Sequence, residues 1–208
     1  MVRDAAAHGV RSVSFGGGEP LEAPAIWPVL EGLENTLFRS LTTSGLPLRD
    51  NDLFEKLVAS RPNKVQVSIH FPSDHLEVRR VIEQVSELDR RGIPSGINLL
   101  VRRSGVNAAR VAAERIRSAG IDNHRIVHLP MRGEDTPSPE QVAAVAGGPF
   151  QSTSCLSTCG PKPRFCSIRW DRSVAWCSYT ESRRRLMRLS YAGIVEALVE
   201  LCVSPCRD

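Results

Sequence analysis

Three things are missing from this sequence, and each narrows what the protein can be. No apolar run approaches the roughly 18–20 residues that a membrane span needs. Met1-Val2-Arg3-Asp4-Ala5-Ala6-Ala7-His8 also lacks the apolar stretch of a signal peptide. A cytoplasmic protein without a membrane partner is therefore expected. The common nucleotide signatures are missing too: there is neither a G-x-G-x-x-G nor a phosphate loop closing in Lys-Ser/Thr. No RNA-recognition or zinc-finger pattern occurs, and the net charge is only +4. The densest basic cluster, Arg183-Arg184-Arg185 with Arg188, reads as a solvated helix face before it reads as a surface for nucleic acid or an acidic substrate. Nucleic acid is not expected as a partner. Finally, no cysteine precedes Cys155, so all 6 lie in the tail.

What is present is an ordinary globular composition, 41% hydrophobic and 24% charged over 208 residues. That is enough for one sizeable core or a core plus a small module. The shift to cysteine, with Gly147-Gly148-Pro149, marks a boundary between residues 1–148 and 149–208. Within the first part, residues 3–9 read as the end of a helix, with Gly9 as its stop. Period-two apolar runs at 11–15, 37–43, 64–70, 95–101 and 125–129 read as strands. They alternate with helical patterns at 25–33, 50–60, 75–91, 107–119 and 139–146. This rhythm predicts βα units, right-handed crossovers and an α/β fold with a parallel sheet. Five strands cannot close an eight-stranded barrel, so an open, partial parallel (β/α) barrel is expected.

Ligands of such folds sit at the carboxyl ends of the strands. Glu19, Thr43, Ser44, His70, Arg102, Arg103 and Met131 fall there, and Ser68 lies close by. The first strand ends in Gly16-Gly17-Gly18-Glu19-Pro20. Glycines permit positive φ and close approach of a ligand to the backbone, and Pro20 can open the next helical turn. Glu19 is the only charge in the loop, which suits a cationic amino group. It reads as an exposed carboxylate that supports little else. A tight structural turn explains the same residues equally well. Each of the five histidines reads as hydrogen-bonded or on the surface.

Gly17-Gly18-Glu19-Pro20, Thr43-Ser44-Gly45 and Val67-Ser68-Ile69-His70 resemble, in order and spacing, the strand-end motifs of radical S-adenosylmethionine (radical SAM) enzymes. Thr-Ser-Gly stands where the family usually has Thr-Asn-Gly. The resemblance runs over about residues 1–150 and implies the family's six-strand partial barrel with one βα unit absent at the front. It implies S-adenosylmethionine as cofactor, with Gly17, Gly18 and Glu19 at its methionine amino group. Thr43 and Ser68 would hold the methionine or ribose part, and Met131 would lie by the adenine. It also implies a [4Fe–4S] cluster, 5′-deoxyadenosyl-radical chemistry on a peptide or other substrate, and an electron donor such as flavodoxin or ferredoxin. One departure stands out: the family's C-x-x-x-C-x-x-C, expected upstream of the glycine loop, is absent. Two readings follow. Either the sequence is a radical SAM enzyme lacking its N-terminal part, inactive by itself, or it is a non-catalytic partner that keeps the fold and uses its tail to bind metal or to dock.

In the tail, Cys155-x-x-x-Cys159 leads into Gly160-Pro161-Lys162-Pro163, followed by a β-hairpin around Asp171-Arg172 and a helix over about 191–202. A two-residue turn centred on Asp171-Arg172 would set Cys166 opposite Cys177, with both thiolates on one face. The candidate metal ligands are Cys155, Cys159, Cys166, Cys177, Cys202 and Cys206. Iron–sulfur, structural zinc and disulfides all fit cysteines alone. The resemblance, whose members often carry a cysteine-rich C-terminal (SPASM/twitch-like) extension with auxiliary clusters, favours iron–sulfur.

Overall fold

A computed structural model of the chain describes residues 1–151, 156, 165–199 and 201. Four candidate cysteines, Cys155, Cys159, Cys202 and Cys206, and the loop Gly160–Pro163 lie outside them. The chain divides into two compact units. One holds residues 11–131 and 135–153, and the other holds residues 1–10, 132–134 and 154–208.

The larger unit is built from β1 (Ser12–Phe15), α2 (Ile26–Gly32), β2 (Phe38–Thr43), α3 (Asn51–Ala59), β3 (Lys64–Ile69), α4 (His75–Arg90), β4 (Ser95–Val101), α5 (Val106–Ser118), β5 (Ile126–Pro130) and α6 (Pro139–Ala146). The five strands pair in parallel in the order of the chain and curl into a half-barrel. Each predicted strand and helix forms, with ends displaced by a residue or two. Local signals set the helix starts. Asp50 accepts from the N–H groups of Asp52 and Leu53, Asp74 from those of Leu76 and Glu77, and Ser138 with Gln141 closes a capping box.

The two faces of the sheet differ. Val65, Val67 and Ile69 of β3 lie beside Ile97, Leu99 and Val101 of β4 and Ile126 of β5, all fully buried. This face packs under the helices: Ser95, in the same row, donates its hydroxyl to the Val85 carbonyl of α4 at 3.0 Å. Alternate residues (Thr42, Gln66, Ser68, Gly96, Asn98) line the concave face.

Two buried cations or would-be cations sit on the helix side. Arg39 is 4% exposed. Its guanidinium donates to the carbonyls of Leu30 (2.7 Å), Ser60 (3.3 Å) and Arg61 (2.6 Å) and to Asn63 Oδ1 (3.3 Å). It thus answers carbonyls at the carboxyl ends of α2 and α3, where a positive charge is favoured. Arg61 sits at φ 44°, a left-handed position that ends α3 and turns its carbonyl to Arg39. His128 of β5 lies in the row of Leu99 and is 1% exposed. Burial, aided by the charge of Arg117, pushes its pKa down to about 4.

In the smaller unit, α1 (Val2–Ala7) is tied to α7 (Tyr191–Val199). The Tyr191 N–H donates to Asp4 Oδ2 at 2.6 Å, and the His8 ring stacks on Tyr191 at 4.6 Å. An antiparallel sheet β6 (Ser167–Ile168), β7 (Ser173–Ala175), β8 (Arg184–Arg185) completes it. Val174, Leu186, Ile194, Ala197 and Leu198 form its core. Two expectations are corrected here. Ser167 pairs with Ala175 and Ile168 with Val174, so the turn spans three residues, Trp170–Arg172, with Arg172 at φ 65°. A three-residue loop closed by a left-handed residue is a standard hairpin. It shifts the register by one and aligns Cys166 with Trp176, not with Cys177. The arginine cluster is not a helix face either: Arg184–Arg185 is a strand. Arg183 is a pin, donating to the carbonyls of Ser167, Ser173 and Cys177 at 3.1–3.2 Å.

Two stability measurements test this account. Arg39→Met should cost about 3 kcal/mol in urea unfolding, because it strands buried carbonyls at two helix ends. Unchanged stability would show that water replaces the guanidinium. For His128, the unfolded state takes up a proton near pH 6.5 and the native state only near pH 4. Stability should therefore fall by about 3 kcal/mol as pH drops from 7 to 4. His128→Phe should remove that part of the pH dependence, and parallel wild-type and mutant curves would refute it.

Candidate functional site

The glycine loop leaves β1 in a conformation only glycine adopts readily. Gly17 and Gly18 have φ of 83° and 56°, and a side chain at either would meet nothing within 4 Å. Backbone conformation, not lack of room, therefore requires the glycines. Both are exposed, and among the described residues no backbone hydrogen bond uses their N–H groups. Glu19 follows in extended conformation and caps the 3₁₀ turn Pro20–Glu22.

Glu19 is not the exposed carboxylate expected from the sequence. It is part-buried and accepts four hydrogen bonds. Oε1 takes the Thr43 hydroxyl at 2.8 Å and the Leu21 N–H at 3.2 Å. Oε2 takes the Ser44 hydroxyl at 2.7 Å and the Ser44 N–H at 2.9 Å. A carboxylate has about four acceptor sites, so the protein itself occupies them. The reason lies in the parallel register: Phe15 pairs with Leu41, which carries the ends of β1 and β2 side by side.

The Thr43-Ser44-Gly45 turn is held from its other side by α4. Gln84 donates to the Gly45 carbonyl at 2.7 Å and Arg80 to the Ser44 carbonyl at 3.1 Å. Gly45 has no alternative: besides φ 73°, a Cβ there would stand 2.3 Å from Gln84 Oε1 and 2.7 Å from Val67 Cγ1. Thr43 is 2% exposed, and its hydroxyl donates to Glu19 and accepts from the Gly45 N–H at 3.0 Å.

The next two strand ends carry the remaining polar groups. Glu77 of α4 accepts from the N–H groups of His70 (3.1 Å) and Phe71 (2.7 Å). Burial opposes its charge, but these bonds and the His70 ring hold its carboxyl below the usual range. Asp135 accepts from the Ser104 N–H (2.8 Å) and hydroxyl (2.7 Å), which fixes the loop after β4. Between these loops lies a cavity of about 210 Å³ lined by His70, Phe71, Ser73, Leu100, Arg102 and Ser104. Met131 follows β5 and donates its N–H to Val101 at 2.8 Å. Ser68 faces the concave side, 7% exposed, beside Asn98.

Gly17, Gly18, Glu19, Ser68 and Met131 thus lie at or near the carboxyl ends of β1, β3 and β5, on one half-barrel. Sequence reasoning passed over Gln66, Asn98, Arg80 and Gln84, because only strand parity and α4 packing reveal them. Among the described residues no cluster of three or more His, Cys, Asp or Glu could hold a metal. Of the two described cysteines, Cys166 packs on the apolar core and burial raises its thiol pKa. Cys177 Sγ accepts the Tyr179 N–H at 3.4 Å and lies near the Arg183 charge. The two candidate ligands thus stand in different surroundings.

Five parallel strands curled into a half-barrel, with helices on the outside, are the partial barrel of radical SAM enzymes. Solved structures bear this out. Tagged anSMEcpe with bound AdoMet superposes with a TM-score of 0.61 at 16% identity, over 94% of this chain and 66% of that one. Streptococcus suis SuiB bound to S-adenosylmethionine gives 0.63 at 14% identity, over 89% of this chain and 54% of SuiB. The chain spans between half and two thirds of the length of these two structures. At such identities the likeness is one of fold. No protein-family model matches the sequence, and no curated protein does.

Glu19→Gln is the direct test of the clamp. The amide turns one acceptor into a donor facing donors, so the variant should lose about 2 kcal/mol in chemical unfolding. Unchanged stability would mean that Glu19 is held loosely and is free for a ligand.

Proposed function

We propose that the half-barrel binds S-adenosylmethionine at the carboxyl ends of its strands, as a protein of the radical SAM type. The observation that carries this reading is the glycine loop. Two consecutive left-handed glycines present exposed N–H groups, and the Glu19 clamp fixes their position beside the ends of β1 and β2. Preorganised backbone donors of this kind bind a polar ligand at little entropic cost. Gly17 and Gly18 would contact the methionine part. Ser68 would reach the ribose or methionine from the concave wall, and Met131 would meet the adenine. Glu19 and Thr43, whose polar atoms are spent on one another, act by positioning the loop. In this they depart from the direct contacts that the family resemblance implies. When bound, S-adenosylmethionine supplies a cleavable sulfonium carbon–sulfur bond. The chain's own part is to hold the molecule and keep water from it.

A second reading keeps the fold without the chemistry. In it, this chain binds S-adenosylmethionine without cleaving it and serves as a non-catalytic partner. The tail cysteines remain the candidate set for an auxiliary [4Fe–4S] cluster. No catalytic step is derived through it.

Calorimetric titration with S-adenosylmethionine should show saturable binding, weakened by Gly17→Val, which forces a β-branched residue to positive φ. No binding by the wild type would remove the proposal. With dithionite, the chain by itself should release no 5′-deoxyadenosine above a protein-free control. Release would refute the reading that the upstream cysteine motif is required.

A further inference from the structure

On the concave face, β3 and β4 bury polar side chains that do not satisfy one another. Gln66 is 9% exposed, Ser68 7% and Asn98 7%. Gln66 Oε1 is buried without a hydrogen-bond partner, and among the described residues neither Ser68 nor Asn98 uses its side chain in a hydrogen bond. The same strands fill their other face with fully buried Val65, Val67, Ile69, Ile97 and Leu99. Apolar residues were thus available to this sequence at these strands, and the concave positions carry amides instead. Buried polar groups are almost always hydrogen-bonded, and an orphaned one calls for a ligand or water.

The wall is also shaped for the Gln66 amide. Gln66 pairs in register with Gly96. A Cβ on Gly96 would stand 2.6 Å from Gln66 Oε1, and 2.4 Å from the Arg125 carbonyl. Glycine at 96 therefore leaves the space into which the amide is laid. Ser68 pairs with Asn98 one step closer to the carboxyl ends, so the two carboxamides stand diagonally across adjacent strands. From Gln66 to the ends of β3 and β4 this face carries no charge: Gln66 and Ser68 face Gly96, Asn98 and Leu100.

We infer that Gln66 and Asn98 form a receiving site for a neutral amide group of the substrate, such as a peptide or carboxamide unit, inside the half-barrel. A carboxamide offers a donor and an acceptor side by side, and its best complement is another amide. An uncharged wall disfavours carboxylates and phosphates, which need a paired charge when buried. This inference rests on the concave side being the ligand-bearing side, as in the proposed function, and adds the chemical class that it reads.

The test uses the full chain, ¹⁵N-labelled, with N-acetylglycinamide as probe and N-acetylglycine and glucose as controls. The side-chain amide resonances of Gln66 and Asn98, identified by their loss in Gln66→Met and Asn98→Leu, should shift on titration with N-acetylglycinamide. N-acetylglycine and glucose should leave them in place. Each variant should bind the probe about tenfold more weakly. Melting temperatures should hold or rise, since an orphaned amide stabilises nothing. A marked fall in the melting temperature of Gln66→Met would overturn the inference and make the amide structural. So would equal shifts with N-acetylglycine or glucose, or no shift with any probe, which would leave water as the partner. Titrating the same wild-type sample with S-adenosylmethionine separates the two claims. Binding of S-adenosylmethionine without binding of the amide probe sinks this inference alone, whereas failure of both sinks the proposed function as well.

Discussion

The carboxylate of Glu19 is the constraint on which the ligand end of the half-barrel depends. It stands one residue beyond two left-handed glycines, and its oxygens are taken up by Thr43, Ser44 and Leu21. A glycine loop is entropically expensive to order. Three short contacts from the neighbouring strand end, with the Leu21 N–H as a fourth, offset that cost and hold the loop's free N–H groups in one place. The turn that supplies these contacts is in turn held by Gln84 and Arg80 of α4. Position therefore passes from a long, well-capped helix to a tight turn, to a carboxylate and to the loop. A side chain that looks like a ligand contact in the sequence is a strut in the fold.

The sheet divides its work between its faces. The helix side is mostly apolar, and where two helix ends need an answer Arg39 supplies it to α2 and α3 together. Asn63 completes the junction by accepting the Arg39 N–H at 2.9 Å and returning its own to the Arg39 carbonyl. The concave side carries hydroxyls and amides that the protein leaves unanswered. Stability is built outward, and hydrogen-bonding capacity is kept inward.

The smaller unit shows how one residue in a turn changes the chemistry available. A two-residue turn would have set two thiols face to face. The three-residue turn with left-handed Arg172 sends Cys166 toward Leu198 and its neighbours, while Cys177 stays near Arg183. The two cysteines then differ in surroundings: Cys166 lies against the apolar core, where burial raises its thiol pKa, and Cys177 lies near a guanidinium.

The sequence by itself determined the order, type and near-exact limits of the elements in the larger unit. Those are local matters: period-two apolar runs, caps at Asp50, Asp74 and Ser138, and glycines where φ is positive. It also placed Gly17, Gly18, Ser68 and Met131 at or near strand ends, because the alternation of strand and helix leaves them nowhere else. Only the tertiary structure decided what the polar residues do there. Whether Glu19 is free or clamped depends on the register of β1 against β2, a pairing between residues some 25 positions apart. That Gln66 and Asn98 share one wall follows from the β3–β4 register, and the different settings of Cys166 and Cys177 from the turn at Arg172. Register and parity are set when distant strands meet. A shift of one residue reverses every side chain, and no local pattern in the chain records it.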